Sequence, residues 1–497
     1  YKEEELTEKS IIEKINCGKG DSLSTSDVIE LSTGILKGGN TKYEKRALSP
    51  LAADWISENC IQCGMCSIVC PHAVIRPIVG GPNELEHIKC FGTDENYSVI
   101  ISKEDCTGCG LCTSICPGKL GKSALKLSEN NKTTELEKEI FNNHINKNTL
   151  PITSIKGSQF QKSLFEFSGA CAGCGETPYI KLLTQLFGHE LIIANATGCS
   201  SIYGASCPST PYNIPWANSL FEDNAEFGLG MLKSYEQKRK EIEEIMSKEP
   251  ENSIYKEWLE NKNNYKITSV IKSKLEQTNF NKDLLNYISK RSIWCIGGDG
   301  WAYDIGFNGI DHVLSSNENI NILVLDTEVY SNTGGQSSKS TKLGAVAKFA
   351  TNGKHNYKKD LFKIATTYEN VYVASISLKA NPMQAIKAFK EAEEHNGPAI
   401  IIAYAPCIEH GINGGLTNSI EEEKKSVECG YNILMRYKDN KIIIDSKEPD
   451  FDKYESYLNN EVRYNSLKKK NIKEAQELLE LQKNNAIKRY EYFKNLT

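Results

Sequence analysis

Residues 60–71 read Cys-Ile-Gln-Cys-Gly-Met-Cys-Ser-Ile-Val-Cys-Pro, and residues 106–117 read Cys-Thr-Gly-Cys-Gly-Leu-Cys-Thr-Ser-Ile-Cys-Pro. The chain therefore carries the same run of four cysteines and one proline twice. Three thiolates at C-x2-C-x2-C spacing ligate one [4Fe-4S] cluster, and the fourth cysteine of each run ligates the other cluster. The repeat thus predicts two cubane clusters whose ligand sets cross, which makes the two halves one unit.

The crossing assigns each cysteine of the repeat to one of two sets. One cluster is predicted to be held by Cys60, Cys63, Cys66 and Cys116, and its partner by Cys106, Cys109, Cys112 and Cys70. Paired C-x2-C motifs also build zinc sites, which is the alternative interpretation. The third cysteine at the same spacing and the Cys-Pro ending, both repeated, favour iron-sulfur clusters. The pattern is the signature of a two-cluster ferredoxin, so a ferredoxin-like α+β domain is predicted over residues 60–128.

The overall composition limits the kind of protein that this chain can be. At 497 residues it exceeds the size that one hydrophobic core normally serves, so two or three domains are expected. Its net charge of -5 gives no basic field for nucleic acid. The longest apolar runs are strand-sized, so no membrane span is predicted and a soluble protein is expected.

The cysteine content bears on the compartment. Seventeen cysteines without a signal peptide argue for metal ligation under reducing conditions rather than for a disulfide framework. We therefore expect the cytoplasm or a reducing organelle of an anaerobe, and not secretion. Because the first residue is Tyr1 rather than Met, the chain is also expected to be a piece of a longer polypeptide.

Shifts in composition divide the chain into five predicted segments. They are an amino-terminal arm (1–59), the ferredoxin-like domain (60–128), a linker (129–164), an α/β domain (165–450) and a carboxy-terminal helical extension (451–497). In the α/β segment, short apolar runs alternate with helical patterns, which predicts a doubly wound parallel sheet. Residues 71–102 are expected to form a surface loop, and residues 233–264 a charged, solvated helical excursion.

A candidate metal site follows two neighbouring strands of the predicted sheet. One strand leads into Gly298, Asp299 and Gly300, and the next leads into Thr327, 28 positions after Asp299. A carboxylate and a hydroxyl at the carboxyl edge of the sheet are the hard ligands that Mg²⁺ on a diphosphate requires. The glycines would let the backbone approach phosphate at a helix amino end. A lone Gly-Asp-Gly is usually a turn, but this spacing matches the thiamine-diphosphate signature, in which Asp299, Thr327 and the Val329 carbonyl bind Mg²⁺.

A third group of cysteines lies within the α/β segment. Its members are Cys171, Cys174, Cys199 and Cys407. Cys199 and Cys407 both follow predicted strands, so they can meet the loop of the other two at the same sheet edge as Asp299. Four thiolates there would hold a third [4Fe-4S] cluster beside the thiamine site.

Other interpretations of this third group stay open at the level of sequence. Cys171 and Cys174 could equally form a redox dithiol or half of a zinc site, and Cys207 competes for a ligand place. His410, close to Cys407, is expected to support the site from behind or to be solvated rather than to bind metal. The remaining cysteines are predicted to be structural thiols: Cys17, Cys90, Cys207, Cys295 and Cys429.

The three constellations together resemble the carboxy-terminal part of the pyruvate:ferredoxin (flavodoxin) oxidoreductase family. The strings that carry the resemblance are residues 44–46, 167–179, 217–228 and 325–336. It covers nearly the whole chain, and it extends to the matching region of pyruvate:NADP oxidoreductases. One departure is visible at residues 213–215, where the family usually has a longer glycine-containing loop.

The resemblance implies a complete activity and a set of roles. The family oxidatively decarboxylates pyruvate with coenzyme A, giving acetyl-CoA and CO₂, and passes electrons through three [4Fe-4S] clusters to ferredoxin or flavodoxin, or to NADP through a fused flavoprotein reductase. By its pattern, the third cysteine group holds the cluster nearest thiamine diphosphate, Glu176 lies near the diphosphate, and Asn332 faces the thiazolium and substrate as the catalytic residue. A homodimer is expected.

The resemblance also implies something that is missing. In the family, the glutamate that activates the cofactor and the residues that grip pyruvate lie in amino-terminal domains that this sequence does not contain. We therefore expect those domains as partners of the chain. A different class remains as the alternative, namely a non-catalytic electron-transfer protein whose α/β domain only docks a partner.

Overall fold

A computed structural model describes residues 11, 13–15, 17–29, 38–130, 132–147, 150–205 and 209–497. Cys207, the competing ligand, and part of the predicted arm lie outside these residues. Within the described ranges, no helix is long and apolar enough to cross a membrane.

The doubled cysteine run folds into short helices and two small antiparallel sheets. The strands are β1 (Leu51–Trp55), β2 (Ile75–Val79), β3 (Ile88–Lys89), β4 (Asn96–Ile101) and β5 (Leu125–Glu129), and the helices are α1 (Met65–Ile68) and α2 (Leu111–Ile115). β1 pairs with β5, and the second sheet has the order β2-β4-β3. Each helix begins directly after a left-handed glycine, Gly64 (φ 76°) or Gly110 (φ 78°), so the third cysteine of each run enters a helix. The predicted ferredoxin-like α+β fold is confirmed.

The expectation that residues 71–102 form a surface loop is wrong. β2 and β4 run through this stretch and pair with each other. Their apolar side chains enter the core of the ferredoxin-like domain, which with β1 is called the cluster module below. They are Ile75, Ile78, Val79, Tyr97, Val99, Ile100 and Ile101. Polar residues dominate positions 83–95 between the two strands, so the whole stretch was predicted as a loop although short apolar runs flank it. The insertion therefore supplies core that the short helices cannot.

The stretch predicted as a linker contains ordered helices. They are α3 (Glu135–Asn143) and α4 (Ile155–Gln159). α3 begins with a capping box between Thr134 and Glu137, and its Ile140 and Phe141 join the core of the cluster module. The boundaries of the linker stay a prediction, but residues 135–143 pack as part of the module that precedes them.

The larger part of the chain is built on an eight-stranded sheet. Its strands are β6 (Leu191–Ala196), β7 (Trp216–Ser219), β8 (Ser292–Gly298), β9 (Asn321–Asp326), β10 (Tyr372–Ile376), β11 (Ala399–Tyr404), β12 (Met435–Lys438) and β13 (Lys441–Ile444). The order is β13-β12-β10-β11-β9-β8-β6-β7. The strands from β10 to β7 run parallel, which confirms the α/β fold, whereas β12 and β13 add antiparallel at one edge. That edge hairpin escaped the sequence analysis because its strands are short and rich in charge.

Helices cover both faces of this sheet, as a doubly wound fold requires. They are α5 (Thr177–Phe187), α6 (Cys199–Gly204), α7 (Asn224–Ser247), α8 (Ser253–Asn261), α9 (Tyr265–Leu275), a π-helix (Gly300–Ile305), α10 (Phe307–Leu314), α11 (Leu361–Ala365), α12 (Pro382–Glu394), α13 (Ser419–Glu428), α14 (Tyr454–Leu458), α15 (Val462–Lys470) and α16 (Ile472–Lys494). α5 and α12 pack on one face, where Ile68 of α1 and Leu111 of α2 join the same core. α7, α10 and α16 pack on the other. The cluster module is therefore seated on the face that α5 covers.

The charged stretch at residues 233–264 is more than a solvated excursion. Together with the residues that follow, α7, α8 and α9 enclose a separate core around the fully buried Trp258. Its indole Nε1 donates a hydrogen bond to the Ile288 carbonyl (2.9 Å). The lysines and glutamates that dominate the sequence cover the outside of this small bundle, so the earlier expectation is corrected.

Candidate functional site

The two cysteine runs bring their thiols into the crossed groups that the spacing predicts. Burial raises the pKa of Cys66, and three thiols raise it further, those of Cys63, Cys60 and Cys116. Burial raises the pKa of Cys109 to about 11, and the thiols that add to this shift are those of Cys70 and Cys106. Cys112 is influenced by Cys66 of the other group, so the two groups are neighbours. Each group contains the last cysteine of the opposite run, because α1 and α2 pack side by side.

A single ion and a cluster place different demands on these groups of thiols. In the described part of the chain, no three or more His, Cys, Asp and Glu side chains are arranged to hold a metal ion. Zinc would need its sulfurs about 2.3 Å from one point. A cubane instead spreads its four ligands around four irons, and its positive charge would favour the thiolates that burial disfavours. A cluster would therefore stabilise, as thiolates, side chains whose pKa is raised by burial.

The third group of cysteines also comes together. Cys171 and Cys174 lie in the loop before α5, Cys199 is the first residue of α6 after β6, and Cys407 follows β11. Burial raises the pKa of Cys174 to about 12, and Glu176 and Cys407 add to the shift. Burial likewise raises the pKa of Cys199, and the groups that add to it are Glu176, Cys174, Cys407 and Cys171. The carboxyl edge of the sheet thus collects all four thiols beside Glu176.

One short segment connects the third cysteine group to the cluster module. The hydroxyl of Thr417 donates a hydrogen bond to the Cys109 carbonyl (2.7 Å). The preceding Leu416 packs against Gly173, where a Cβ would lie 2.7 Å from the leucine side chain. Gly173 also has a left-handed backbone (φ 84°), so both its conformation and its close approach require glycine. The loop of the third group and the Cys106–Cys112 loop therefore share one neighbouring segment.

The predicted Mg²⁺ ligands converge between the ends of β8 and β9. The hydroxyl of Thr327 lies 3.0 Å from Asp299 Oδ1 and 3.0 Å from the Val329 carbonyl oxygen. The other carboxylate oxygen of Asp299 is buried without a hydrogen-bond partner. Burial raises the pKa of Asp299, and the neighbouring Asp326 raises it further. An unpartnered buried oxygen beside two others is the donor set that a hard cation satisfies, so these residues fit Mg²⁺.

The two glycines beside Asp299 serve different purposes, although both were expected to let the backbone approach phosphate. Nothing lies closer than 4.0 Å to a Cβ built on Gly298, which leaves open space beside the carboxylate. A Cβ on Gly300 would instead overlap the ring of Tyr330. Packing of Tyr330 therefore explains the glycine at position 300, whereas the space at Gly298 is available to a ligand.

Glu328 shapes the metal site from behind and was not singled out in the sequence. It has a left-handed backbone (φ 60°), which a non-glycine residue adopts only when its surroundings hold it there. Its fully buried carboxylate is 3.0 Å from Lys358 Nζ and 3.0 Å from Arg463. Burial alone would raise the pKa of Glu328, but these cations outweigh it and hold the pKa well below its usual range. This turn directs the residues on either side, Thr327 and Val329, toward Asp299.

His410 and Glu176 are buried polar residues, one beside Thr327 and the other beside the third cysteine group. His410 Nε2 donates a hydrogen bond to the Thr327 carbonyl (2.7 Å), and the imidazole is fully buried, so the solvated alternative is wrong. Burial raises the pKa of Glu176 to about 7, and the nearby Tyr203 hydroxyl opposes that shift. Asn332, by contrast, is exposed. Two of the predicted or neighbouring polar residues are therefore buried, whereas Asn332 is open to solvent.

Comparison with known protein families defines the class of the chain. Residues 284–403 match the family described as thiamine pyrophosphate enzyme, C-terminal TPP binding domain, and residues 59–120 match the 4Fe-4S dicluster domain. The chain thus joins a thiamine pyrophosphate domain to a dicluster iron-sulfur domain. Over almost its whole length, the chain is similar to part of the pyruvate:ferredoxin and pyruvate-flavodoxin oxidoreductases, as the resemblance implied.

The relatives that show this similarity align over almost the whole chain. The pyruvate:ferredoxin oxidoreductase of Moorella thermoacetica is 44% identical over 98% of this chain and 45% of its own length. The pyruvate-flavodoxin oxidoreductase of Klebsiella pneumoniae is 41% identical over 93% of the chain and 43% of its own. The mitochondrial pyruvate dehydrogenase [NADP(+)] of Euglena gracilis is 41% identical over 96% and 29%. The chain therefore spans less than half the length of these relatives.

Proposed function

We propose that this chain is the carboxy-terminal catalytic and electron-transfer portion of a pyruvate oxidoreductase. The complete enzyme would convert pyruvate and coenzyme A to acetyl-CoA, CO₂, a proton and two electrons, and deliver the electrons to ferredoxin or flavodoxin. The observation that carries the proposal is the connection through Ser331 between Cys407 and Thr327, whose hydroxyl also lies beside Asp299 and the Val329 carbonyl. The names and high identity of the relatives support the choice of substrate and acceptor.

The roles of the site residues follow from their positions. Asp299, Thr327 and the Val329 carbonyl would hold Mg²⁺ and, through it, the diphosphate, with open space at Gly298 on the same side. Thiamine diphosphate, when bound, supplies the electron sink for decarboxylation. Glu176 would contribute a buried polar group near the diphosphate, and Asn332 would meet the substrate from the open side.

The contacts between the cysteine groups suggest the order of electron transfer. The third group would accept electrons first, because it lies at the same sheet edge as Asp299. The group containing Cys109 would follow, because Thr417 and Leu416 join its loop to the third group. The group containing Cys63 would come last, next to Cys112 through Cys66. Three [4Fe-4S] clusters in this order would form a continuous path to the surface.

Two further features belong to the proposal. The amino-terminal domains that carry the activating glutamate in the family would complete the site, and a homodimer would be the working assembly. The acceptor could instead be NADP through a fused flavoprotein reductase, since the Euglena gracilis relative carries that acceptor in its name. The division of the chain into five segments, with the bounds given above, remains a prediction from the sequence.

Metal analysis provides the first test. Twelve assigned cysteines at four per cluster predict twelve iron and twelve acid-labile sulfides per chain after anaerobic reconstitution. Cys199→Ala should lower this to eight, because no ligand is shared with the cluster module. Eight iron in the unaltered chain would remove the third cluster from the proposal, and tightly held zinc without iron would refute the cluster assignments altogether.

An activity assay provides the second test. We expect the chain alone to bind Mg²⁺ and thiamine diphosphate weakly at best, and not to oxidise pyruvate. Adding the amino-terminal domains of a relative, covalently or in trans, should produce pyruvate- and coenzyme A-dependent reduction of a low-potential dye. In the completed enzyme, Cys199→Ala should preserve decarboxylation better than dye reduction. Turnover by these 497 residues alone would show that the activating carboxylate lies within them.

A further inference from the structure

Lys181 is a buried cation between the α/β domain and the cluster module. It lies in the middle of α5 with 1% of its surface exposed. Its Nζ donates a hydrogen bond to the backbone carbonyl of Ser67 in α1. Ser67 directly follows Cys66 in the chain, and Cys70 is three residues further on. The ammonium group therefore points from the α/β domain into the region between two predicted cluster ligands.

A buried lysine normally has a carboxylate as its partner, because an uncompensated charge in the interior is costly. Among the described residues, no carboxylate forms an ion pair with Lys181. Burial lowers the pKa of Lys181 to about 8, and the groups that oppose this shift and favour the charged form are the Cys70 and Cys66 thiolates, one from each cysteine group of the module. The negative charge that balances Lys181 therefore belongs to the cluster ligands themselves.

A second buried lysine nearby shows the contrast. Lys379 is also 1% exposed and lies within electrostatic reach of Cys109. Its Nζ is 3.1 Å from Glu423 Oε1 and 2.8 Å from Ser419 Oγ, so it forms a local ion pair. The field of that pair largely cancels at a distance, whereas the charge of Lys181 has no such neighbour.

We propose that Lys181 is the internal counter-charge of the two clusters of the module and raises the reduction potentials of both. This inference rests on the proposed function, because it requires the clusters. Each cluster takes up one electron from its reductant, no bond or proton is exchanged, and the cluster gains one unit of negative charge. A fixed cation in a low-dielectric interior stabilises that added charge. Cluster potentials are known to respond to net charge and hydrogen bonding around the sulfurs.

The position of Lys181 gives this effect a use in electron transfer. α5 begins immediately after Glu176, at the loop of the third cysteine group, and reaches the module at Lys181 one turn later. In the third group, the largest charges that act on Cys199 are negative, and they belong to Glu176 and the other three thiols. Lys181 would therefore make the two module clusters better electron acceptors than the third cluster, so electrons would move away from the cofactor.

Reduction potentials of the reconstituted chain provide the test. The variants Lys181→Met and Lys181→Gln remove the charge, and the glutamine keeps a hydrogen-bond donor. In titrations followed by electron paramagnetic resonance, we expect both variants to make reduction of the two module clusters about tenfold less favourable, a shift of about 59 mV to lower potential. The cluster of the third group should keep its potential, and Lys181→Arg should restore the module clusters toward the original values.

The matched control is the double variant Lys379→Met/Glu423→Gln, which replaces a buried neutral pair and should leave all potentials unchanged. Iron and sulfide contents of every variant distinguish the possible failures. A chain that binds no clusters would refute the proposed function, whereas fully loaded neutral variants with unaltered potentials would overturn the role of Lys181. If the module clusters kept their original potentials in Lys181→Gln but not in Lys181→Met, the effect would belong to the hydrogen bond. That result would also overturn the role of the lysine charge. Loss of the module clusters from both neutral variants but not from Lys181→Arg would support the counter-charge.

Discussion

The side-chain oxygens of Ser331 and Thr327 lie 2.5 Å apart. Thr327 also bonds Asp299 in the predicted Mg²⁺ site, and a hydrogen bond from Ser331 opposes the rise that burial causes in the pKa of Cys407. Two hydroxyl groups therefore connect a predicted cluster ligand to a predicted metal ligand. The turn after β9 therefore links the predicted Mg²⁺ site to the third cysteine group.

Replacement of Ser331 tests the connection to the cluster. In Ser331→Ala, the sulfur of Cys407 loses a hydrogen bond, which should lower the reduction potential of the third cluster by roughly 20 to 60 mV. The iron content should stay at the value of the unaltered chain. Thr333→Ala, an exposed neighbour whose hydroxyl bonds Gln336, is the control and should leave the potential unchanged. An unaltered potential in Ser331→Ala would mean that this hydroxyl does not influence the cluster.

Replacement of Asp299 should separate metal binding from stability. Asp299→Asn removes the charged ligand and should weaken Mg²⁺-dependent binding of thiamine diphosphate about a hundredfold or more. Without metal, the same variant should be more stable, with a free energy of unfolding higher by on the order of 1 kcal/mol, because a buried carboxylate without a cation is costly. It should therefore unfold at a higher temperature. Calorimetry with and without Mg²⁺ and the cofactor measures both effects. Unchanged cofactor affinity in the variant would remove Asp299 from the site.

A glycine substitution tests the packing of the third cysteine group. A Cβ on Gly175 would lie 2.5 Å from the carbonyl oxygen of Pro406, between Cys174 and Cys407. Gly175→Ala should therefore displace one of these ligands and lower the iron content from twelve to eight. Gly230→Ala, in α7 with open space around it, is the matched control and should keep all iron and stabilise the fold by about 0.5 to 1 kcal/mol.

The stability of the chain should depend on pH through Glu422. Burial raises the pKa of Glu422 to about 7, and one of its carboxylate oxygens has no hydrogen-bond partner. An unfolded glutamate loses its proton near pH 4.3, so between about pH 4.3 and 7 the folded state binds more protons. Its contribution to stability therefore falls as pH rises through that interval and stays low above it.

Glu422→Gln removes this titration. At pH 8, the free energy of unfolding of the variant should exceed that of the original chain by on the order of 1 kcal/mol, so the variant should unfold at a higher temperature. This difference should shrink at pH 6. Glu421→Gln is the control, because Glu421 is exposed and pairs with Lys424 at the surface. The control difference should be small and equal at both pH values. A Glu422→Gln difference that is independent of pH would show that the carboxylate does not titrate in this range.

Much of the candidate site could be predicted from the sequence because its determinants are local. The spacing of Cys60, Cys63 and Cys66 within seven residues places three thiols around one cluster whatever the rest of the chain does. Asp299 and Thr327 were predictable for a related reason. Each directly follows a strand, and parallel strands end at one edge of a sheet, so their meeting needs only the fold class.

Tertiary structure alone decided which groups support those residues. Arg463 reaches Glu328 from far along the chain, Thr417 bonds the Cys109 carbonyl, and Lys181 points at Ser67 of another domain. None of these pairs is marked by spacing, since their partners are brought together only when helices pack on the sheet. A lysine or glutamate in the sequence is most often solvated, and only burial turns its charge into a strong influence on a neighbouring site. The ligands could therefore be predicted from local sequence patterns, whereas the charged groups that influence them are brought close only by the packing of the fold.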